Sequence, residues 1–411
     1  MGELSIGGAK NAALPILAAV CLNEGETIIT NCPRISDTLD TIEILKSLGF
    51  GVEFEENTLK VAAATDINHD IPDRYAKKMR SSILFLGALL TKTGRVNLAL
   101  PGGCKLGTRA IDMHVESLQA MGATIICEGD KLFCECDGLT GTKIKLDFPS
   151  VGATENIMLA AVKARGETII ENAAREPEIQ DLARFLKSLG AEIRGAGTKT
   201  IQINGSAVIK KNISHKIIPD RIVAGTYLTA AAMTEGEVTL KDLNPFDLMP
   251  VTSYLKEMGC TLRADGSVVT LKAPARLKPV PRITTKVHPG FPTDMQAQFV
   301  AALSIAEGKS ELTESVFDCR TSHVPELRKM GAKIALTADK CTFLVDGRAI
   351  LRPAVMAAHD LRCGAALILA ALAAEGESLV QGAKYVQRGY ESMERDLAKL
   401  GAKIMLEHGR V

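Results

Sequence analysis

Leu45-Lys46-Ser47-Leu48-Gly49 returns five times along the chain. The copies are Leu118-Gln119-Ala120-Met121-Gly122, Leu186-Lys187-Ser188-Leu189-Gly190, Leu255-Lys256-Glu257-Met258-Gly259, Leu327-Arg328-Lys329-Met330-Gly331 and Leu397-Ala398-Lys399-Leu400-Gly401. The closing glycines stand about 70 residues apart, and self-similarity at a fixed period marks a chain built of structural repeats. Each copy ends an amphipathic pattern of helical period. A glycine in that place fits a left-handed C-cap. A β-branched strand is expected next, as in Ala123-Thr124-Ile125-Ile126, Ala191-Glu192-Ile193 and Ala402-Lys403-Ile404, and a second strand after a polar turn.

A second ladder of glycines is offset from the first: Gly25, Gly94, Gly166, Gly236, Gly308 and Gly376. Each follows a nearly all-apolar run such as Ala12 to Leu22, Ile157 to Val162, Val223 to Met233 or Cys363 to Ala374. A helix apolar all round is buried on every side, whereas the amphipathic helix belongs at a surface. Strands follow, as in Glu167-Thr168-Ile169-Ile170 and Glu237-Val238-Thr239-Leu240. The unit reads buried helix, strand, surface helix, strand, strand. Six units predict an α/β chain of two domains with three repeats each, the buried helices enclosed by sheets. Pro219-Asp220 opens the fourth unit. The expected division is residues 11–218 for one domain, and 1–10 with 219–411 for the other.

Composition allows this. The chain has 411 residues, 46% of them hydrophobic and 4% aromatic, enough for two sizeable cores. The net charge of +1 gives no global argument for nucleic acid or a membrane surface as partner. Met1-Gly2-Glu3-Leu4-Ser5 lacks the basic region and apolar core of a signal peptide, and no run suits a bilayer span. The ten cysteines are scattered, Cys21, Cys127, Cys260 and Cys363 among them, as expected of small buried hydrophobes in a reducing cytoplasm. Cys134 and Cys136 lie two apart, but no second Cys or His pair stands nearby to complete a metal set. No metal is expected.

The openings of the buried helices are unusual. They carry Lys10-Asn11, Arg80-Ser81, Ser150-Val151-Gly152, Asp220-Arg221, Thr293-Asp294 and Asp360-Leu361-Arg362. The surface helices open with Arg109, Arg175-Glu176, Arg320 and Arg388. Capping of free N–H groups accounts for Ser150, Thr293 and Asp220. It does not account for Lys10, Arg80, Arg362 or Arg388, since a cation at a helix N-terminus opposes the dipole at a cost of up to about 1 kcal/mol. Repetition of an unfavourable choice points to anions held there. Two domains facing each other would then line a cleft for phosphates and carboxylates. Pro101-Gly102-Gly103-Cys104-Lys105-Leu106-Gly107-Thr108-Arg109 adds a glycine-rich loop in which two cations favour the thiolate of Cys104.

Gly8-Ala9-Lys10-Asn11-Ala12-Ala13-Leu14-Pro15, Leu100-Pro101-Gly102-Gly103-Cys104, Glu171-Asn172-Ala173-Ala174-Arg175-Glu176-Pro177-Glu178 and Phe291-Pro292-Thr293-Asp294-Met295-Gln296-Ala297-Gln298 carry a resemblance over almost the whole chain. They resemble the enolpyruvyl transferases, in particular the branch that acts on UDP-N-acetylglucosamine at the first committed step of peptidoglycan synthesis. The resemblance implies a two-domain inverse α/β barrel that closes on substrate. It implies transfer of the enolpyruvyl group of phosphoenolpyruvate to the sugar 3-hydroxyl, with no cofactor. Cys104 matches the active-site thiol, a proton donor and the residue alkylated by fosfomycin, and its loop the lid. Lys10, Arg109 and Arg388 match the phosphoenolpyruvate clamp, with Arg362 close by, and Asp360 is counted among the substrate-binding positions. Asn11, Arg80, Ala110, Ile111, Asp112, Met113, Ser150, Val151, Gly152, Asp294 and Val316 match positions that hold the nucleotide sugar. Asp294 also matches the base for the sugar hydroxyl.

Two departures stand out. Family members usually carry a further strand before Ser5-Ile6-Gly7-Gly8, so the first unit is expected to be incomplete. Phe148 stands where a lysine often contacts the nucleotide. The shikimate-pathway relative, a 3-phosphoshikimate 1-carboxyvinyltransferase, uses no cysteine in a Gly-Gly-Cys lid, so Cys104 argues against it. A non-catalytic nucleotide-sugar-binding paralogue is the reading from another class, opposed by Cys104, Asp294 and Arg388. His114 and His323 are read as structural or peripheral to the nucleotide.

Overall fold

The structure, a computed structural model, describes residues 2–101, 111–205, 212–318 and 320–407. Its described residues fall into two units, 8–218 and 2–7 with 219–407. The chain passes from one to the other between Gly7 and Gly8 rather than between Lys10 and Asn11. Backbone hydrogen bonds give the reason. The Ala9 amide donates to the Ile218 carbonyl at 2.7 Å, whereas the Asp220 amide donates to the Gly7 carbonyl at 2.9 Å.

In the unit of residues 8–218, three apolar helices form the interior: Lys10–Ala19, Phe85–Thr93 and Val151–Ala161. Ile16, Leu17, Leu86 and Ile157 on them have no exposed surface. Ser36–Ser47, Asp112–Ala120 and Pro177–Ser188 are the half-buried amphipathic helices. Each repeat of this unit adds a sheet, of four strands in the first and third and three in the second. In the first, Ile213–Lys216 runs parallel to Thr27–Thr30, which pairs antiparallel with Thr58–Ala62, which closes a hairpin with Gly51–Glu55. Thr27 thus faces Ile213 on one side and Val61 on the other. This first sheet has four strands. The helices pack closely because Gly87 lacks a side chain: a Cβ there would lie 2.4 Å from the Asn156 carbonyl oxygen. Asn156 spans the contact, accepting from the Gly87 amide at 2.7 Å and donating to the Ile83 carbonyl at 3.0 Å.

The second unit repeats the plan with a separate core. Arg221–Met233, Gln296–Ile305 and Leu361–Leu372 are its interior helices, and Pro245–Glu257, His323–Lys329 and Met393–Lys399 its outer ones. Gly2–Ser5 runs parallel to Glu237–Lys241 and starts a four-stranded sheet, as Arg282–Thr284 does beside Lys309–Thr313. All six glycines that close the recurring motif adopt the left-handed conformation, with φ of 100°, 100°, 110°, 98°, 95° and 103° in chain order. The residue after each returns its amide to the leucine that opens the motif, as Ala402 does to Leu397 at 2.9 Å. Glycine is the residue that takes this conformation without strain.

Two expectations fail here. Ala402-Lys403-Ile404 forms no strand. The sixth sheet contains only Val355–Ala357 and Leu379–Gln381 among the described residues, so the hairpin partner that holds this segment elsewhere is lacking. Cys127 is exposed, not buried, because Thr124–Glu128 is an edge strand with its side chains largely in water. Cys21, Cys260 and Cys363 are buried as expected, and burial pushes the Cys21 thiol up to about 12. No helix among the described residues is long and apolar enough to cross a membrane, and no group of His, Cys, Asp or Glu among them could hold a metal.

Candidate active site

Cys104, Arg109 and Ala110 lie outside the described residues, as does the lid assigned to their loop. The other candidates divide between the units. In residues 8–218, Lys10, Arg80 and Val151 are each the first residue of an interior helical segment. The Lys10 ammonium meets the Asp37 carboxylate at 2.8 Å, with both side chains nearly buried. Asn11 follows it, half-buried. Ser150 is the cap expected: its hydroxyl accepts from the Ala153 amide at 3.3 Å. Phe148 is exposed just before it.

His114 joins three of these segments. It lies on the helix whose opening carries Ile111, Asp112 and Met113, of which Asp112 is exposed. Its Nδ1 is 3.0 Å from the Asn156 amide nitrogen, on the helix that Val151 and Gly152 begin. A Cβ on Gly152 would lie 3.1 Å from the imidazole Cε1, so glycine lets the two helix openings come together. Burial, aided by the charge of Arg80, pushes the His114 pKa down to about 3. The imidazole is therefore neutral, a structural hinge-pin between Arg80, Gly152 and Asn156.

The sign of the pH effect follows. The unfolded chain takes up a proton near pH 6.5, and the folded one does not until far lower. This contribution to stability is present above pH 6.5 and declines as pH falls toward 3. The His114 imidazole resonances should stay flat between pH 5 and 8, and a midpoint near 6.5 would contradict this environment.

In the other unit, Asp294 is the centre. It lies in the turn Thr293–Met295 that leads into the interior helix Gln296–Ile305. Arg362 reaches one carboxylate oxygen at 2.7 Å, and Arg320 the other at 3.0 Å. Both arginine side chains are buried, at 4% and 5% exposure, while Asp294 keeps 24%. Burial alone would raise the Asp294 pKa. The charges of Arg362 and Arg320, with their hydrogen bonds, outweigh it and hold the carboxyl well below the usual range.

Arg362 is itself anchored. Asp360 caps the helix Leu361–Leu372, accepting from the Arg362 amide at 2.9 Å and the Cys363 amide at 3.0 Å. The second Asp360 oxygen accepts from the Ser322 hydroxyl at 2.5 Å. The carboxylate assigned to substrate thus serves as a cap. Tyr390, fully buried, takes a 3.4 Å hydrogen bond from Arg362 and shares its hydroxyl with Thr226 at 2.8 Å. Arg388 is half-buried in the turn just before Tyr390. Val316 lies in a loop whose amide is held by Glu314 at 2.9 Å.

Sequence reasoning placed Arg320 only at the mouth of a surface helix and passed over Asp37, Tyr390 and Glu314. Arg320 carried a signal as a member of the cation ladder. Glu314 carried a weaker one: it continues the inward alternation of Ser310 and Leu312, where a carboxylate is out of place. Tyr390 and Asp37 carried none. His323 is buried and stacked on Phe343, in keeping with a structural role.

Two guanidinium groups thus hold one carboxylate at the mouth of an interior helix in a six-fold α/β repeat. The chain belongs to the EPSP synthase (3-phosphoshikimate 1-carboxyvinyltransferase) family, whose model matches residues 1–397. Among curated proteins it is 47% identical to UDP-N-acetylglucosamine 1-carboxyvinyltransferase 2 of Caldanaerobacter subterraneus subsp. tengcongensis, over 98% of this chain and 96% of that one. It is 43% identical to UDP-N-acetylglucosamine 1-carboxyvinyltransferase of Sorangium cellulosum, over 100% and 96%. Among solved structures it is similar to the enolpyruvyl transferase NikO from Streptomyces tendae, with a TM-score of 0.88, 25% identity, and coverage of 98% and 95%.

Proposed function

We propose that the chain transfers the enolpyruvyl group of phosphoenolpyruvate to the 3-hydroxyl of UDP-N-acetylglucosamine and releases phosphate. The observation that carries this reading is Asp294, a carboxylate kept ionised between Arg320 and Arg362. An ionised carboxylate can take the hydroxyl proton, and fixed guanidinium groups can balance the charge that develops on the second substrate. The relatives named for this reaction, at 43–47% identity over nearly the whole chain, support it.

The sugar oxygen adds to C2 of phosphoenolpyruvate as its proton passes to Asp294, and the Cys104 thiol protonates C3. The resulting tetrahedral ketal then loses a proton from C3 and expels phosphate, which restores the double bond as an enol ether. Lys10, Arg109, Arg362 and Arg388 hold the carboxylate and phosphate. Asn11, Arg80, Ile111, Asp112, Met113, Ser150, Val151, Gly152 and Val316 hold the nucleotide sugar. Holding both substrates in register can remove roughly 7–11 kcal/mol of the barrier in good cases. The reaction belongs to the first committed step of peptidoglycan synthesis in the cytoplasm. Fosfomycin is the covalent inhibitor this thiol implies, and Cys104→Ser should abolish the adduct seen by mass spectrometry.

Phosphate release with each acceptor in turn tests the assignment. Release with phosphoenolpyruvate and UDP-N-acetylglucosamine, and none with shikimate 3-phosphate, is expected. The reverse preference would assign the chain to the shikimate branch, and no release with either acceptor would leave a binding protein.

A further inference from the structure

Glu314 stands one residue beyond the strand Lys309–Thr313 and is 3% exposed. A carboxylate at a core-facing position is costly unless its oxygens are satisfied. Here they are satisfied from two sides. Oε1 accepts from the Thr285 hydroxyl at 2.7 Å and from the amides of Val316 and Phe317 at 2.9 and 3.2 Å. Oε2 accepts from the Thr293 hydroxyl at 2.8 Å. The Ser315 amide, in turn, donates to Thr285 at 2.8 Å and completes the hold on residues 315–317.

The Thr293 link leads further. With its proton given to Glu314, the Thr293 hydroxyl offers a lone pair to Arg320 Nη1, at 2.9 Å. The same Nη1 donates to the Thr293 carbonyl at 2.9 Å and to Asp294 Oδ1 at 3.0 Å. One buried carboxylate thus ties together the loop that presents Val316 and the guanidinium that presents Asp294.

We infer that Glu314 is a positioning residue for the enolpyruvyl transfer proposed above, acting by two separable arms. The inference rests on that reading of function. The first arm fixes the loop of residues 315–317 for the nucleotide sugar. The second, through Thr293 and Arg320, fixes Asp294 at the angle from which it takes the hydroxyl proton. Backbone amides can only donate, so the first arm needs an oxygen facing residues 316 and 317. The second needs Thr293 to keep its hydroxyl.

Three variants of the full chain separate the arms from a general effect on packing. Glu314→Leu removes both: KM for UDP-N-acetylglucosamine should rise about tenfold and kcat fall about tenfold, the scale of a lost buried hydrogen bond. Glu314→Gln can turn its oxygen to the amides and its NH2 to Thr293, so it should restore that KM to within about threefold of the unaltered protein. Thr293→Val cuts the second arm alone, so kcat should fall about tenfold while the KM for the sugar nucleotide stays within about threefold. A shared loss of folded protein would lower apparent kcat in all three and leave KM unchanged, so it would not give the KM rise of Glu314→Leu or its recovery in Glu314→Gln. If Glu314→Leu does not fold, Thr293→Val decides: kcat within about twofold of the unaltered protein overturns the inference. A folded Glu314→Leu with unchanged KM does the same. Absence of turnover by the unaltered protein would instead overturn the reading of function, and the inference with it.

Discussion

Asp294→Asn is expected to lower kcat by about 10²–10⁴-fold, the range a positioned general base contributes. Asparagine keeps the size of the side chain and one acceptor, but it cannot take a proton. Its NH2 would also face a guanidinium donor, since Arg320 and Arg362 now occupy the two carboxylate oxygens. The KM for phosphoenolpyruvate should not rise, because Arg362 loses a competing anion. Steady-state kinetics with both substrates varied would show this, and wild-type turnover by the variant would remove Asp294 as the base. The two arginines hold the carboxyl below its usual range, so the carboxylate stays ionised through the neutral region. The stability that this pairing contributes is present above the unfolded carboxyl pKa, near 4, and is lost as pH falls below it. A fall in rate on the acid side of neutrality would therefore come from another group.

Arg362→Met should cost more than activity. The side chain is 4% exposed and spans Asp294 and Tyr390. Removing one partner of a buried ion pair leaves the other desolvated with weaker compensation, which typically costs about 3–5 kcal/mol. Arg320 remains on Asp294, so the lower end of that range is expected. Turnover should fall at least about 100-fold, since a fixed cation that balances developing charge is lost. Denaturant unfolding and phosphate release measure the two effects separately. Arg362→Lys should recover little of either, because a lysine has no second arm to reach both Asp294 and Tyr390. A variant as stable and as active as the unaltered chain would contradict the role assigned to Arg362.

The repeat was legible because it rests on local rules. A left-handed C-cap needs glycine, and a helix buried all round needs an apolar sequence, so Gly49 through Gly401 and the six greasy segments announced the fold. The same rules fell short at the last repeat. Ala402-Lys403-Ile404 has a strand's alternation, but a strand also needs a neighbour, and pairing is not a local property. Cys127 failed for a related reason, since only the sheet order reveals that its strand lies at an edge.

At the candidate site, cations at helix openings were read as unfavourable unless an anion lay close, and beside Lys10 and Arg362 that anion is a carboxylate of the chain itself. What the chain itself supplies was not legible. Asp37 answers Lys10 and Asp294 answers Arg362, from sequence positions no spacing rule connects. Arg320 and Tyr390 entered for the same reason: their partners are long-range, and their importance comes from burial. Asp360 was matched to substrate, and its oxygens also accept from two helix amides and from Ser322, a capping role that the match did not include.

The most direct measurement is the identity of the product. Incubation of the unaltered protein with phosphoenolpyruvate and UDP-N-acetylglucosamine, followed by mass spectrometry and carbon NMR, should give the nucleotide sugar bearing an enol ether on its 3-oxygen, with one phosphate released per product. Recovery of both substrates unchanged, or an enolpyruvyl group on any other acceptor or oxygen, would contradict the account.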